Sequence, residues 1–95
     1  MGETTMLFML CRNRVSDFRK WKAIFDSHLS AHKAAGLDLS NLWQTVDDKN
    51  NVFFLFKVAS IEKAKVFVNA PEAADAGKNS GVLEGECHFI ESGSG

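Results

Sequence analysis

Two stretches of this chain, Met6-Leu7-Phe8-Met9-Leu10-Cys11 and Val52-Phe53-Phe54-Leu55-Phe56, are apolar at every position. Each is far shorter than a membrane span and has the length of a strand. Because side chains alternate between the two faces of a sheet, a strand without polar positions has two faces to bury. One layer of helices covers only one of them. The other needs a cover of its own, since a contiguous apolar patch on a soluble protein marks an interaction surface. An identical sheet from a second copy is the simplest cover, and it makes an isologous homodimer interface. With 95 residues, the chain buries only roughly 60–65% of its unfolded surface by itself, so pairing also helps a small core.

The remaining elements follow from periodicity and punctuation. Met6 to Asn13 reads as a strand whose exit is marked by Arg12-Asn13-Arg14. Val15 to Gly36 reads as one long amphipathic helix, with Ser16 or Asp17 as its cap and Gly36 as its end. Leu37 to Val46 is a second strand, and strict alternation from Leu37 puts Leu39, Asn41, Trp43 and Thr45 on one side. Asp47-Asp48-Lys49-Asn50-Asn51 is a hairpin turn by composition, and Val52 to Ala59 is the third strand. Ser60 caps a helix through about Asn69, Pro71 opens a further helical turn that Gly77 and Gly81 break, and Val82 to Glu91 closes the chain as a strand. The order predicts an α+β, ferredoxin-like βαββαβ domain over residues 1–91. Its four-stranded antiparallel sheet carries helices on one face. Ser92 to Gly95, SGSG, reads as a flexible tail.

Composition removes several classes of function. The net charge is −1 with acids and bases interspersed, so there is no basic stripe to neutralise phosphates and no case for nucleic acid. The first apolar run follows an acidic residue and has neither a basic leader nor a small-residue cleavage site. That predicts a cytoplasmic protein that does not enter a membrane. Cys11 and Cys87 are too few and too far apart for a zinc motif or a disulfide framework, and both are expected to be buried reduced thiols. No phosphate-binding glycine loop or nucleophile elbow is present.

What remains for chemistry is concentrated on the first helix. Phe18, Trp21, Phe25, His28, Leu29 and His32 fall on one face about 100° wide. Leu or Ile would fill a core at positions 28 and 32, so two imidazoles there point to a partly polar cavity beneath the helix. Their i, i+4 spacing lets two histidines share a metal ion. The zincin pattern, however, needs a glutamate directly after the first histidine, and position 29 is Leu. A third ligand would have to come from His88, Glu84 or Glu86, and nothing in the spacing favours them, so no metal is assigned. The alternatives are histidines at the edge of the core, bonded to backbone, polar side chains or water, and pocket histidines that bind or protonate a small ligand. Trp21 and Phe25 are core residues or an aromatic wall for that ligand, and Trp43 joins them if its strand face selects the cavity. Arg12 and Asn13 occupy opposite faces at the end of the first strand, where a polar group can reach a cavity mouth. Glu84, Glu86 and His88 share one face of the last strand, which reads as a solvated face.

The strand ending RNRV, the helix SDFRKWKAIFDSHLSAHKAAGL, the hairpin DDKNNVFFLF, the helix SIEKAKVFVNAPE and the closing strand together resemble the dimeric α+β barrel superfamily. Within it, the chain is similar to the antibiotic-biosynthesis-monooxygenase-like domains. The resemblance spans about Met6 to Glu91 and rests on element order and on the D-F-x-x-W-K-x-x-F-D-x-H pattern at Asp17 to His28. It implies pairing as a dimeric barrel. It also implies an Asn on the first strand and a Trp on a helix, which Asn13 and Trp21 match, and, for haem-degrading members, a helical His, which His28 or His32 matches. Those members carry Trp and His on the second helix, and Ser60 to Asn79 contains neither. Three expectations result. The first is a cofactor-independent monooxygenase-like or isomerase-like enzyme for a small hydrophobic or aromatic molecule. In it His28 or His32 moves a proton, Asn13 or Arg12 orients an oxygen, and Trp21, Phe25 and Trp43 form the wall. The second is a non-catalytic ligand-binding or stress-related barrel, and the third is haem binding or degradation.

Overall fold

The structure, a computed structural model, describes residues 6–93. Its elements are β1 (Leu7–Val15), α1 (Phe18–Ser27), α2 (Leu29–Ala34), β2 (Leu37–Gln44), β3 (Asn51–Val58), α3 (Ile61–Val68), α4 (Pro71–Asn79) and β4 (Val82–Glu91). The strands form one antiparallel sheet in the order β2-β3-β1-β4, so the fold is ferredoxin-like. The two wholly apolar runs are its central strands, β1 and β3. The molecule is 19 Å in its thinnest direction, the depth of one sheet and one helix layer. One sheet face is therefore covered and the other is bare.

Register decides what each face carries. Met9, Cys11 and Asn13 pair with Phe56, Phe54 and Val52 of β3, and these side chains point to the helices. Met9, Cys11, Val52, Phe54 and Phe56 form the core with Trp21, Phe25, Leu37, Val58 and Ala64. Trp21 stacks on Phe25 at 4.6 Å between ring centroids, and both rings meet Phe54. The intervening positions Phe8, Leu10 and Arg12 pair with Lys57, Leu55 and Phe53 on the bare face.

Several expected elements differ from those observed, each for a local reason. The first helix is broken at His28, whose φ of −101° and ψ of 0° divide α1 from α2. Here the His28 N–H donates to the Phe25 carbonyl, which frees the Ile24 carbonyl to accept from Ser27 Oγ at 2.6 Å and from His28 Nδ1 at 2.8 Å. Side chains have replaced a helical backbone bond. Asp17 is the cap, with Oδ1 accepting from the Arg19 and Lys20 amides. Asn50 of the β2–β3 hairpin adds a second cap by accepting from the Phe18 amide at 3.0 Å. Strand β2 contains a register shift between Leu39 and Asn41, so the expected strict alternation fails. Leu37, Leu39 and Leu42 face the core, whereas Asn41 and Trp43 face the bare side. Gly77 lies inside α4 and does not end it. Gly81 does, with a φ of 81° that only glycine adopts readily.

The two cysteines also depart from expectation. Cys11 and Cys87 are directly paired across β1 and β4 and form a disulfide. Cys11 is buried while Cys87, on the edge strand, is exposed. The reading of two buried free thiols is therefore wrong, because the fold brings together residues 76 positions apart. At the expected tail, the Ser92 amide donates to the Met6 carbonyl and its hydroxyl accepts from the Met6 amide, so Ser92 prolongs the β1–β4 ladder. Ser94 and Gly95 lie outside the described residues.

Candidate active site

Between the α1–α2 and α3–α4 layers, above the sheet, lies an open cavity of about 780 Å³. That is within the usual range of small-molecule sites. The sequence explains the void. Helix α2 and its C-cap present Ala31, Ala34 and Ala35 to it, and α4 presents Ala73, Ala76 and Gly77, so the flanking helices stand apart with little between them. The floor and inner wall are aromatic, from Trp21, Phe25, Phe54 and Phe67.

Five of the seven site residues expected from sequence line this cavity: Asn13, Trp21, Phe25, His28 and His32. Trp43 and Arg12 do not. The bulge in β2 turns Trp43 to the bare face, where it is 48% exposed. Arg12 points the same way by simple alternation. Its guanidinium donates to Glu84 at 3.0 Å, to Glu86 at 3.2 Å and to the Asn51 side chain at 3.0 Å. Hydrogen bonds to Glu84 and then Glu86 raise the Arg12 pKa. The Glu84 carboxylate is held below its ordinary range chiefly by Arg12, and that of Glu86 by His88 and then Arg12. Arg12 thus belongs to an ion network on the other side of the sheet and cannot orient a ligand in the cavity. The same geometry removes Glu84, Glu86 and His88 as third metal ligands for His28 and His32. Among the described residues no three acidic, histidine or cysteine side chains converge on a metal position.

The histidines are held in defined states. His28 Nδ1 lies 2.8 Å from the Ile24 carbonyl, and His32 Nδ1 lies 2.8 Å from the His28 carbonyl. A carbonyl only accepts, so each Nδ1 carries the proton. In a neutral ring the lone pair then sits on Nε2. His32 stacks against Phe56 at 4.9 Å and meets Phe67 at 4.9 Å and Phe25 at 5.7 Å. Burial among these rings lowers its pKa from the ordinary 6.5; its bond to the His28 carbonyl opposes the shift and the nearby His28 side chain adds to it. His32 is therefore a neutral imidazole near pH 7, with an unprotonated Nε2 in an apolar setting. Asn13 is the polar group of the sheet floor, and among the described residues its side chain makes no hydrogen bond to the protein.

The cavity also uses residues that the sequence reading passed over, namely Lys63, Val66, Phe67, Ala70, Ala73, Ala76, Gly77 and Ser80. Their spacing of three and four is a helical face, the same signal that marked the first helix. The spacing continues past Pro71 although the helix itself is interrupted at Ala70, whose backbone is extended, and it carries mostly small residues, so it lacked the large side chains by which such faces are usually noticed.

No family model matches the chain, and no curated protein matches its sequence. Solved structures do match its fold. A candidate antibiotic biosynthesis monooxygenase from Bordetella bronchiseptica superposes with a TM-score of 0.76 at 12% identity, covering 96% of this chain and 100% of the other. The fold is that of the antibiotic-biosynthesis-monooxygenase-like proteins. A similarly named protein from Caulobacter crescentus CB15 gives 0.71 at 14% identity, with 94% and 91% covered. The same fold occurs in a nipsnap family protein of unknown function from Agrobacterium tumefaciens, at 0.68 and 9% identity, with 92% and 87% covered.

Proposed function

We propose that this protein is a small cofactor-independent enzyme, monooxygenase-like or isomerase-like, that takes a hydrophobic or aromatic molecule into the helix-covered cavity. The observation that carries this reading is the pairing of a neutral His32, its Nε2 lone pair free of the backbone, with an unengaged Asn13 amide in one aromatic-lined space. A base of depressed pKa on the helix wall and a donor on the floor of the same cavity suit abstraction of a proton from an extended planar ligand, next to a carbonyl or from a phenol, with the developing oxyanion held by the amide. His32 is the base, Asn13 the oxyanion donor, and Trp21 and Phe25 the wall, with His28 holding His32 through its carbonyl. In the oxygenase form dioxygen is the co-substrate, and in the isomerase form the proton returns to another atom. Oxygen uptake separates the two.

The active unit we propose is a homodimer joined through the bare sheet face. Phe8, Leu10, Phe53, Leu55 and Trp43 lie there on neighbouring strands, too much apolar surface for a lone soluble chain. Sedimentation at micromolar concentration tests this, and a monomer would rule it out. The proposed location is cytoplasmic, a compartment in which a disulfide such as Cys11–Cys87 is a redox-responsive bond and not a permanent one. Cell fractionation tests the location, and a protein found only in an oxidising compartment overturns it. No helix among the described residues is long and apolar enough to cross a membrane.

Replacement of His28 and His32 by Gln distinguishes enzyme from binding protein. Turnover of a panel of phenolic and 1,3-dicarbonyl compounds should fall at least a hundredfold, the usual worth of a general base, while ligand affinity changes little. A chain that binds such compounds with no turnover in either form is a carrier. A haemin Soret shift abolished by the same replacements would make haem the ligand.

A further inference from the structure

Gly85 lies in the middle of β4, between Glu84 and Glu86, directly opposite Asn13 of β1. Glycine weakens a strand interior and usually marks a place where something approaches closely. Its backbone is not the reason here, because the positive-φ glycines of the described chain are Gly36 and Gly81. The reason is the missing Cβ. A methyl at position 85 would sit 2.6 Å from Asn13 Oδ1, closer than real contacts allow, whereas its backbone neighbour, the Arg12 carbonyl, would be at an ordinary 3.6 Å. The Asn13 carboxamide therefore lies over Gly85, in the space a side chain would take. On its other flank stands Val52, which is fully buried.

We propose that Gly85 is a positioning residue for Asn13: by leaving its side of the sheet empty, it holds the carboxamide flat on the cavity floor. Oδ1 then lies against β4, and the Nδ2 donor turns away from β4 to meet an oxygen of the ligand. The ligand class that this arrangement selects carries a carbonyl, phenol or enolate oxygen on a planar apolar body. This rests on the cavity being a ligand site, and the Asn13 geometry can be tested apart from it.

The variant to make is Gly85→Ala. An alanine stabilises the strand backbone relative to glycine, so the melting temperature should hold or rise while recognition of oxygen weakens. A crystal structure of the variant should show Asn13 in a different χ1 rotamer. With 2-naphthol and naphthalene as probes, Gly85→Ala should weaken 2-naphthol binding roughly five- to tenfold, about the worth of one neutral hydrogen bond, and leave naphthalene unchanged. Asn13→Ala should do the same, and the double variant should lose no more than either single one. An Asn13 rotamer unmoved in Gly85→Ala overturns the proposal. So does a loss of 2-naphthol affinity that persists when Gly85→Ala is placed on Asn13→Ala. A wild-type protein that binds neither probe removes the cavity reading instead, and the variant structure still decides whether Gly85 sets Asn13.

Discussion

Alternate residues of β1 inhabit two environments. Toward the helices, Met9 and Cys11 are closed into the core and Asn13 opens onto the cavity. Toward the bare side, Phe8 and Leu10 stay half-buried, and Arg12 is held by Glu84 and Glu86. The covered face is completed within one chain: its aromatic rings stack on one another, and its gap is shaped by alanines. The bare face has an apolar centre and a charged margin, the composition of a surface that a partner covers. On the function and dimer proposed above, one strand serves stability and chemistry on one side and association on the other. A residue's worth depends on its parity in the strand more than on its type.

The two tryptophans give the largest contrast. Trp21→Ala removes a ring that is 2% exposed and stacked on Phe25, and should cost about 3–5 kcal/mol in urea unfolding. Trp43→Ala removes a ring of the same size from the bare face. It should cost the monomer less than about 1 kcal/mol, since surface changes are mild, yet weaken self-association in sedimentation. Equal losses of folding stability would abolish the distinction between the faces.

The disulfide tests the covered face at its edge. Cys87→Ser opens a bridge that spans 76 positions and should lower stability by about 2–4 kcal/mol, the usual effect of closing so long a loop. Thiol titration of the denatured wild-type protein checks the premise. An unchanged urea midpoint in Cys87→Ser would mean that the β1–β4 ladder alone fixes this edge.

Much of the architecture could be read from periodicity. The two-sided apolar runs became the central strands, and the helix face from Trp21 to His32 became a cavity wall. What escaped was whatever depends on one residue out of step or on distant pairing. The bulge after Leu39 inverted the faces of Asn41 and Trp43, and no composition signal marks an extra residue in a strand. The Cys11–Cys87 bond required the β1–β4 register. Arg12 and Asn13 were separable by alternation, but which of them met the helices became clear only once both neighbouring strands were placed.

A smaller effect should distinguish His32 from the charged margin of the opposite face. Its folded pKa lies below the ordinary 6.5, so as pH falls through 6.5 the unfolded chain takes up a proton before the folded one does. Stability conferred by the neutral buried ring is complete above that pH, declines below it, and levels off once the folded ring also protonates. The decline should be absent in His32→Gln, and turnover should fall over the same acid range. The pairs of Arg12 with Glu84 and Glu86 titrate at lower pH and respond to salt, so unfolding at pH 5–7 in high and low salt separates the two sources. A pH profile that is the same in His32→Gln would mean that the ring is solvated and unfit to act as a base.

The smallest expected effect bears on whether the covered face is truly open at its alanine wall. Gly77 sits in the interior of α4 with helical backbone angles, and a Cβ built there meets nothing within 4 Å. Glycine in a helix interior costs about 0.8–1 kcal/mol relative to alanine, through the freedom it retains when unfolded. Gly77→Ala should therefore stabilise the protein by about 0.5–1 kcal/mol, read as a rise in the urea midpoint with no change in slope. A larger replacement, Gly77→Leu, projects into the cavity and should exclude the bulkiest ligands while leaving the fold intact, because it fills space instead of displacing a neighbour. If Gly77→Ala destabilises the protein, α4 packs in solution against something at that position. The void between the helix layers would then be closed, and the covered face would be only a core, with its histidines serving as core-edge hydrogen-bonding residues.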